Sequence, residues 1–378
     1  MPSGQGGGAG ERAVLGTSEQ DYARFGLRRD AIERWEDGLR THGGRGTYEW
    51  WYLDAHLEGG AKLVIVFYTK PLADVTSPLT PHVAVTLDRA DGSHHERQGF
   101  WPRRRFSAAR DRCDVRIADN HFEGDLHTYR VHVAIDDTVM DVTLTGTVPP
   151  WRPATGHLLF GPDGAREFAW LPSVPQGRCE ADITIGGRRE RLAGIGYHDH
   201  NWGNCSMPSL MHHWYWARGK VGDYTIIASH ITAERRYGHQ GVPVFLVARD
   251  GRILADDGAR VEFGAAEVAI DGPTGKPVAD LTRYVYRDGQ QRFELTFRRR
   301  QTILRMKLVD TLPRWKRLLA RLAGFDGSFL RFTGELRLER FEGDQRVEAL
   351  TDEAIWELMH FGKALPGAAY GPWRAAAG

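Results

Sequence analysis

From Thr47 onward, apolar side chains recur at every second position in short runs, the period of a half-buried β-strand. The runs predict strands at Lys62–Tyr68, His82–Leu87, Tyr129–Ile135, Val139–Gly146, Ala181–Ile185 and Arg191–Gly196. The same pattern continues through Tyr224–Ile231, Val244–Ala248, Arg260–Phe263, Glu294–Arg298, Thr302–Leu308 and Gly334–Phe341. Turns such as Glu58-Gly59-Gly60 and Asp91-Gly92 punctuate them, and the Pro- and Gly-rich stretch 148–164 reads as a connection. Helical spacing is found in three places. Ser18 can cap a segment running to Leu39, with Phe25, Ile32, Trp35 and Leu39 on one face. Pro313 opens a second, with Trp315, Leu318, Leu319 and Leu322 as its stripe. Thr351 caps a third, lined by Ile355, Leu358 and Met359 and ended by Gly362.

Many short strands without alternating helices predict a mainly β fold. Trp50-Trp51-Tyr52 and Trp214-Tyr215-Trp216 each precede a hairpin-like segment, about one barrel's length apart, so a duplicated antiparallel β-barrel is the economical architecture. The expected organisation is a Gly-rich tail over 1–17, a helical segment over 18–43, barrels over 44–205 and 206–363, and a tail over 364–378. The 378 residues are long enough for two such bodies.

Composition narrows the function. Lys and Arg number 50 against 49 Asp and Glu, a balance that excludes general nucleic-acid binding. With 41% hydrophobic residues and a mean hydropathy of −0.45, the chain reads as globular and cytoplasmic. The opening residues lack the apolar stretch of a signal peptide, and no run is long enough for a spanning helix. Arg314, Lys316, Arg317 and Arg321 opposite the leucines of the second helix admit peripheral contact with a membrane surface. Cys113, Cys179 and Cys205 are too scattered for a disulfide framework or a zinc ribbon. Twelve tryptophans remain to be explained.

Five of them border the densest polar clusters. In Gly196-Tyr197-His198-Asp199-His200-Asn201-Trp202-Gly203, an extended backbone puts Tyr197, Asp199 and Asn201 on one face and His198, His200 and Trp202 on the other. The Tyr/Asp/Asn face can hold a carboxyl group in a hydrogen-bonded, partly buried setting, which tunes a proton donor; a polar turn at a barrel rim is the plainer alternative. In Tyr48-Glu49-Trp50-Trp51-Tyr52, Glu49 and Trp51 point one way, and burial would raise the Glu49 pKa. In the third cluster His212, Trp214 and Trp216 share a face, an aromatic wall suited to an apolar ligand. His198 and His200, with His212, His213 or His230, invite a metal reading. Without HExxH or paired cysteines, no metal is expected and the histidines are read as hydrogen-bonding or acid/base groups. No P-loop, nucleophile elbow or dinucleotide fingerprint occurs, and no cofactor is expected.

Glu49-Trp50-Trp51-Tyr52 followed by the GYHDHNWG string resembles the signature pair of the carotenoid 1,2-hydratase (hydroxyneurosporene synthase, CrtC) and AttH-like family, which also takes in fungal Diels–Alderases. The resemblance runs from about Thr47 to Lys363 and includes Phe332-Thr333-Gly334-Glu335 and 356–362. It implies two tandem lipocalin-like barrels, a cavity for an apolar small molecule, and either hydration of an alkene or cyclisation of a polyene. It places Asp199, His198 and His200 at the hydratase site, and the intact string leans towards the hydratase-like branch.

The resulting expectation is proton-initiated chemistry on a polyene or terpenoid. Asp199 donates, Tyr197 and Asn201 set its pKa, and Trp51, Trp202, Trp214 and Trp216 flank the cation. His200 or His212 holds water, with Glu49 and His230 also lining the substrate. Keeping Asp199 protonated near neutrality means raising its pKa from about 3.9, roughly 4 kcal/mol of desolvation. The alternatives are a cyclase that works by folding its substrate and a non-catalytic lipid or terpenoid carrier.

Overall fold

The computed structural model describes residues 12–311 and 326–365. The segment 313–323, expected to be a helix, and the greater part of both expected tails lie outside the described residues. Within them the chain is mainly β, in two antiparallel sheets. Eleven strands of the first sheet follow one path. In order, hydrogen-bonded neighbours are His94–Phe100, His82–Asp88, Lys62–Tyr68, Tyr48–Leu57, Arg188–Gly203, Arg166–Ile185, Thr138–Gly146, Thr128–Ile135, Asn120–Gly124, Cys113–Ile117 and Phe106–Ala108. A short strand, His157–Phe160, joins Ala13–Leu15 to Arg166–Ile185 off this path. The second sheet runs Arg252–Ala255, Gly241–Arg249, Tyr224–Ala233, Met211–Val221, Gln345–His360, Ser328–Glu342, Gln291–Lys307, Lys276–Asp288 and Val261–Asp271.

The two sheets share a plan. In each, the strand bearing the aromatic triplet sits between its hairpin partner and that sheet's last strand in the sequence: Trp50–Tyr52 between Lys62–Tyr68 and Arg188–Gly203, Trp214–Trp216 between Tyr224–Ala233 and Gln345–His360. Contacts divide the chain into a first unit, Leu15–Leu159 with Gly164–Met207, and a second built from Pro208 onward with Phe160–Asp163 and the residues up to Val14. Each has its own core. The first is packed by Trp51, Leu53, Phe67, Phe122, Tyr129, Val133 and Met140 among others, the second by Tyr215, Tyr224, Phe245, Phe293, Leu330 and Trp356. Each sheet curls back on itself. His95 Nε2 reaches Thr138 Oγ1 at 2.8 Å in the first, and the rings of His230 and Phe263 stack at 4.0 Å in the second.

The period-two reading survives where one face is buried. In Thr138–Gly146, Met140, Val142 and Leu144 enter the core while Val139 and Asp141 face outward. The long hairpin Arg166–Ile185/Arg188–Gly203 turns at Gly186-Gly187, both with positive φ (56° and 80°), the conformation a tight two-residue turn requires. Two helical expectations are corrected. The segment after Thr351 is a strand, Gln345–His360: Ile355, Leu358 and Met359 mimic helical spacing, but Ala354, Trp356, Leu358 and His360 alternate inward. The Ser18–Leu39 helix breaks into Glu19–Phe25, capped by Ser18 and Asp21 and stopped at Gly26 in the left-handed region, and a single 3-10 turn, Arg34–Asp37. Between them, the Arg152 guanidinium takes over what helical bonds would have done. It donates to the carbonyls of Arg28 (2.5 Å) and Ala31 (3.1 Å) and pairs with buried Glu36 at 2.7 Å. Ala13–Leu15, expected within a tail, is a strand.

Candidate active site

The strand Arg188–Gly203 builds the site because its last eight residues are buried on both faces. On one face stands Asp199. Its Oδ2 accepts hydrogen bonds from Trp170 Nε1 (2.7 Å) and Tyr197 Oη (2.8 Å), and its Oδ1 accepts one from Asn201 Nδ2 (2.7 Å). Tyr197 and Asn201 come from the same strand by period two, and Trp170 from the neighbouring strand at the register of Asn201. Burial pushes the Asp199 carboxyl up from the ordinary range; Tyr197, Trp170, His198 and Asn201 oppose that shift without cancelling it. Burial also raises Tyr197, with Asp199 adding to it, so the phenol stays a donor.

The opposite face points into the core of the first unit. His198 Nδ1 lies 2.8 Å from the Tyr52 carbonyl and its Nε2 lies 3.3 Å from Asp37 Oδ2. His200 Nε2 lies 2.8 Å from Glu49 Oε1, and its Nδ1 lies 3.3 Å from Asp37 Oδ1. The Tyr129 hydroxyl donates to Asp37, and Trp51 both donates to the Asp37 carbonyl (3.1 Å) and stacks on His200 (4.5 Å between centroids). Glu49 also accepts from the Arg40 and Thr41 amides and the Thr41 hydroxyl. Burial favours neutral forms here, yet His198 and His200 outweigh it and hold Asp37 well below the usual carboxylate range. For His200, burial is likewise outweighed, by Asp37 and Glu49, and its pKa is raised.

This geometry redistributes the expected roles. Asp199, Tyr197 and Asn201 are brought together as read. His198, His200, Glu49 and Trp51 are fully buried on the other side of the sheet, so they do not stand beside Asp199. Besides Tyr197, aromatic residues on the Asp199 face include Trp50, Tyr52 and Trp170, with Trp50 and Tyr52 partly exposed. Trp202 packs against His200 and His157. It lines a cleft of about 160 Å³ with Phe25, Trp35, Arg40 and Leu171; the cleft borders Trp170 but has its Trp202 and Leu171 walls on the His200 side of the sheet.

His212, Trp214, Trp216 and His230 belong to the second unit. Trp214 and Trp216 are half-buried and face away from the core entered by Tyr215 and Ala217. His212 departs from the expected shared face: a β-bulge between Met211 and His213 turns its ring towards His213, Nδ1 to Nδ1 at 2.8 Å. His230 stacks on Phe263, and burial pushes its pKa down to about 4. Sequence reasoning missed Trp170, Asp37 and Tyr129. Trp170 carries no local signal, since its partner lies 29 positions away across a hairpin; Asp37 sits in a stretch read as helix.

Residues 44–260, more than half of the chain, match the Diels-Alderase-like family. A quinolone epoxide rearrangement protein of Emericella nidulans, asqO, is 38% identical over 55 residues, and its counterpart penF of Penicillium thymicola is 34% identical over 53. These stretches are 15% and 14% of this chain and only 15% of each relative. Among solved structures, an AttH of Nitrosomonas europaea superposes with a TM-score of 0.57 at 15% identity, covering 88% of this chain and 98% of that one. CghA gives 0.57 at 13% identity (85% and 90% covered). Kievitone hydratase of Nectria haematococca gives 0.53 at 12% (93% and 98%). At these identities the likeness is one of fold. With the matched segment running through both the Glu49 strand and the Asp199 strand, the chain belongs to the Diels-Alderase-like family.

Proposed function

We propose that the chain is an acid/base enzyme of natural-product assembly. In this reading Asp199 protonates a double bond of an apolar polyene or terpenoid, as in a carotenoid 1,2-hydratase-like reaction. The observation that carries it is the buried Asp199 carboxyl with its raised pKa and three fixed donors. With Oδ2 occupied by Trp170 and Tyr197, the transferable proton sits on Oδ1. The alkene π pair takes that proton to form a C–H bond and leaves a carbocation on the adjacent carbon. The electrons of the broken O–H bond stay on Asp199, now a carboxylate. Trp170, Tyr197 and Asn201 bind that charged form more strongly than the acid, so they assist as the proton leaves. Hydrogen bonds to a charged group are worth about 1.5–3 kcal/mol each. Water then adds to the cation and returns a proton to Asp199, completing hydration. Alternatively an internal double bond closes a ring, and the new cation loses a proton to the carboxylate.

Trp50, Tyr52 and Trp170 stabilise the cation from the Asp199 face, at roughly 0.5–2 kcal/mol per ring where desolvated. Asp37, Glu49, His198 and His200 act through position: they fix the backbone that aims Asp199. The cleft beside Trp170, at about 160 Å³, is below the roughly 300–1,000 Å³ of a pocket for a whole drug-sized ligand. Its Trp202 and Leu171 walls lie across the sheet from Asp199, so the reacting double bond is assigned to the Trp50 and Tyr52 side instead. The test is turnover by Asp199→Asn on polyenes, terpenoids and their epoxides, with folding checked by circular dichroism. A loss of at least about a hundredfold is expected. Undiminished turnover would overturn the assignment.

The family match favours one further reading, ring closure by holding the substrate folded. In that case Asp199→Asn costs less than about tenfold, and truncating Trp50 or Trp170 costs more.

A further inference from the structure

The second unit holds a cluster that the proposed chemistry does not use. His213 pairs directly with His360 across the neighbouring strands Met211–Val221 and Gln345–His360. In a regular strand His212 would point away from His213. The bulge between Met211 and His213 turns both imidazoles to the same side, a device that re-aims side chains at functional sites. The result is three buried histidines, His212, His213 and His360, each with a ring nitrogen within 4.8 Å of the others.

Their surroundings orient them. His212 Nε2 lies 2.7 Å from the Lys363 carbonyl oxygen, which can only accept, so the proton stays on Nε2 and the Nδ1 facing His213 offers a lone pair. His213 Nε2 lies 3.2 Å from the Thr232 hydroxyl, and its Nδ1 hydrogen-bonds His212 Nδ1 at 2.8 Å, so a bound ion would take the place of the proton shared there. The chain after His360 folds over the His212 ring, with the Phe361 and Gly362 amides donating to the His212 carbonyl (2.8 and 3.3 Å). A Cβ at Gly362 would lie 2.4 Å from His212 Cδ2, so only glycine permits this clamp. The nearby Lys276 ammonium is bound by Asp326 (2.5 Å) and the Gly362 carbonyl (3.0 Å). A ring nitrogen aimed inward while its partner donates to a backbone carbonyl is the arrangement that outer partners give to metal-binding histidines.

We propose that His212, His213 and His360 form a three-histidine site for a borderline divalent transition-metal ion such as Zn(II), with at least one position left for water or another ligand. An all-imidazole donor set suits Zn(II), Co(II) or Cu(II) and is unsuited to Mg(II) or Ca(II), which require oxygen. Two nitrogens bound to one tetrahedral ion at 2.0–2.1 Å stand about 3.3 Å apart. The 2.8 Å between His212 and His213 Nδ1 must therefore open by about half an ångström. This departs from the expectation that the chain holds no metal, and it is independent of Asp199.

The experiment is titration of the untagged, metal-stripped full chain with Co(II), followed by visible absorption, and with Zn(II), followed by calorimetry. One ion per chain is expected, with the intense d–d bands of a four- or five-coordinate site. His213→Asn and His360→Gln should each weaken binding at least a hundredfold, Gly362→Ala by about 10–100-fold, and His230→Gln not at all. A wild-type chain without stoichiometric Co(II) bands overturns the proposal, whatever the variants do. So does binding that survives both His213→Asn and His360→Gln.

Discussion

Asp199 is held between opposing influences. Burial disfavours its charge, while Trp170, Tyr197 and Asn201 stabilise it, and the balance leaves its pKa raised. Removing a donor should tip the balance further. Tyr197→Phe and Trp170→Phe are each expected to move the Asp199 pKa upward, so that activity dependent on its acid form persists to higher pH before falling. The pH–rate profile checks this; a limb that stays in place or moves to lower pH contradicts it. The residues of this face were legible in part. Tyr197, Asp199 and Asn201 follow from period two within one strand. Trp170 did not, because its role depends on cross-strand register, and register is a tertiary fact that local pattern does not contain.

At the scale of elements, Arg188–Gly203 does two jobs with one backbone. Its outer face carries the acid, and its inner face is clamped by Asp37 and Glu49 through His198 and His200. Removing one partner of such a buried set leaves the others uncompensated. Asp37→Asn should lower stability by about 3–5 kcal/mol, measured by urea unfolding. A change within about 0.5 kcal/mol would show that the clamp is idle. Asp37 escaped notice because Phe25, Ile32, Trp35 and Leu39 imitate one long helix, whereas the chain keeps only a 3-10 turn at Arg34–Asp37 and Arg152, distant in sequence, takes up the carbonyls of Arg28 and Ala31. The strand Gln345–His360 shows the converse ambiguity. Ile355, Leu358 and Met359 fit helical spacing, Ala354, Trp356, Leu358 and His360 fit strand spacing, and pairing with two neighbouring strands decides for the latter. The continuous apolar run Lys62–Tyr68, bounded by turns, was readable to the residue. The bulge at His212 has no sequence signature here.

For the whole molecule, the clamp sets a pH window. Asp37 has a depressed folded pKa, so its contribution is present above the ordinary aspartate range and is lost as pH falls. His200 has a raised folded pKa, so its contribution is full below about 6.5, the ordinary histidine value, and is lost as pH rises through the folded value. Thermal stability of the wild type should therefore peak between those limits and decline on both sides. The alkaline decline should be smaller in His200→Gln than in the wild type, measured by melting temperature against pH. Equal declines would remove His200 as its source. Two similar sheets, each with its own core, were legible from the repeated aromatic triplets. The placement of the acid in the first unit and of the histidine cluster in the second was not, since both depend on how strands pair.

The proposed chemistry requires Asp199 to keep its proton beyond the ordinary carboxylate range. Labelling aspartate at the side-chain carboxyl carbon and following its NMR shift against pH tests this directly, with Asp199 assigned by the signal lost in Asp199→Asn. A midpoint clearly above about 3.9, the value for an unperturbed aspartate, is expected. A midpoint at or below that value would contradict it.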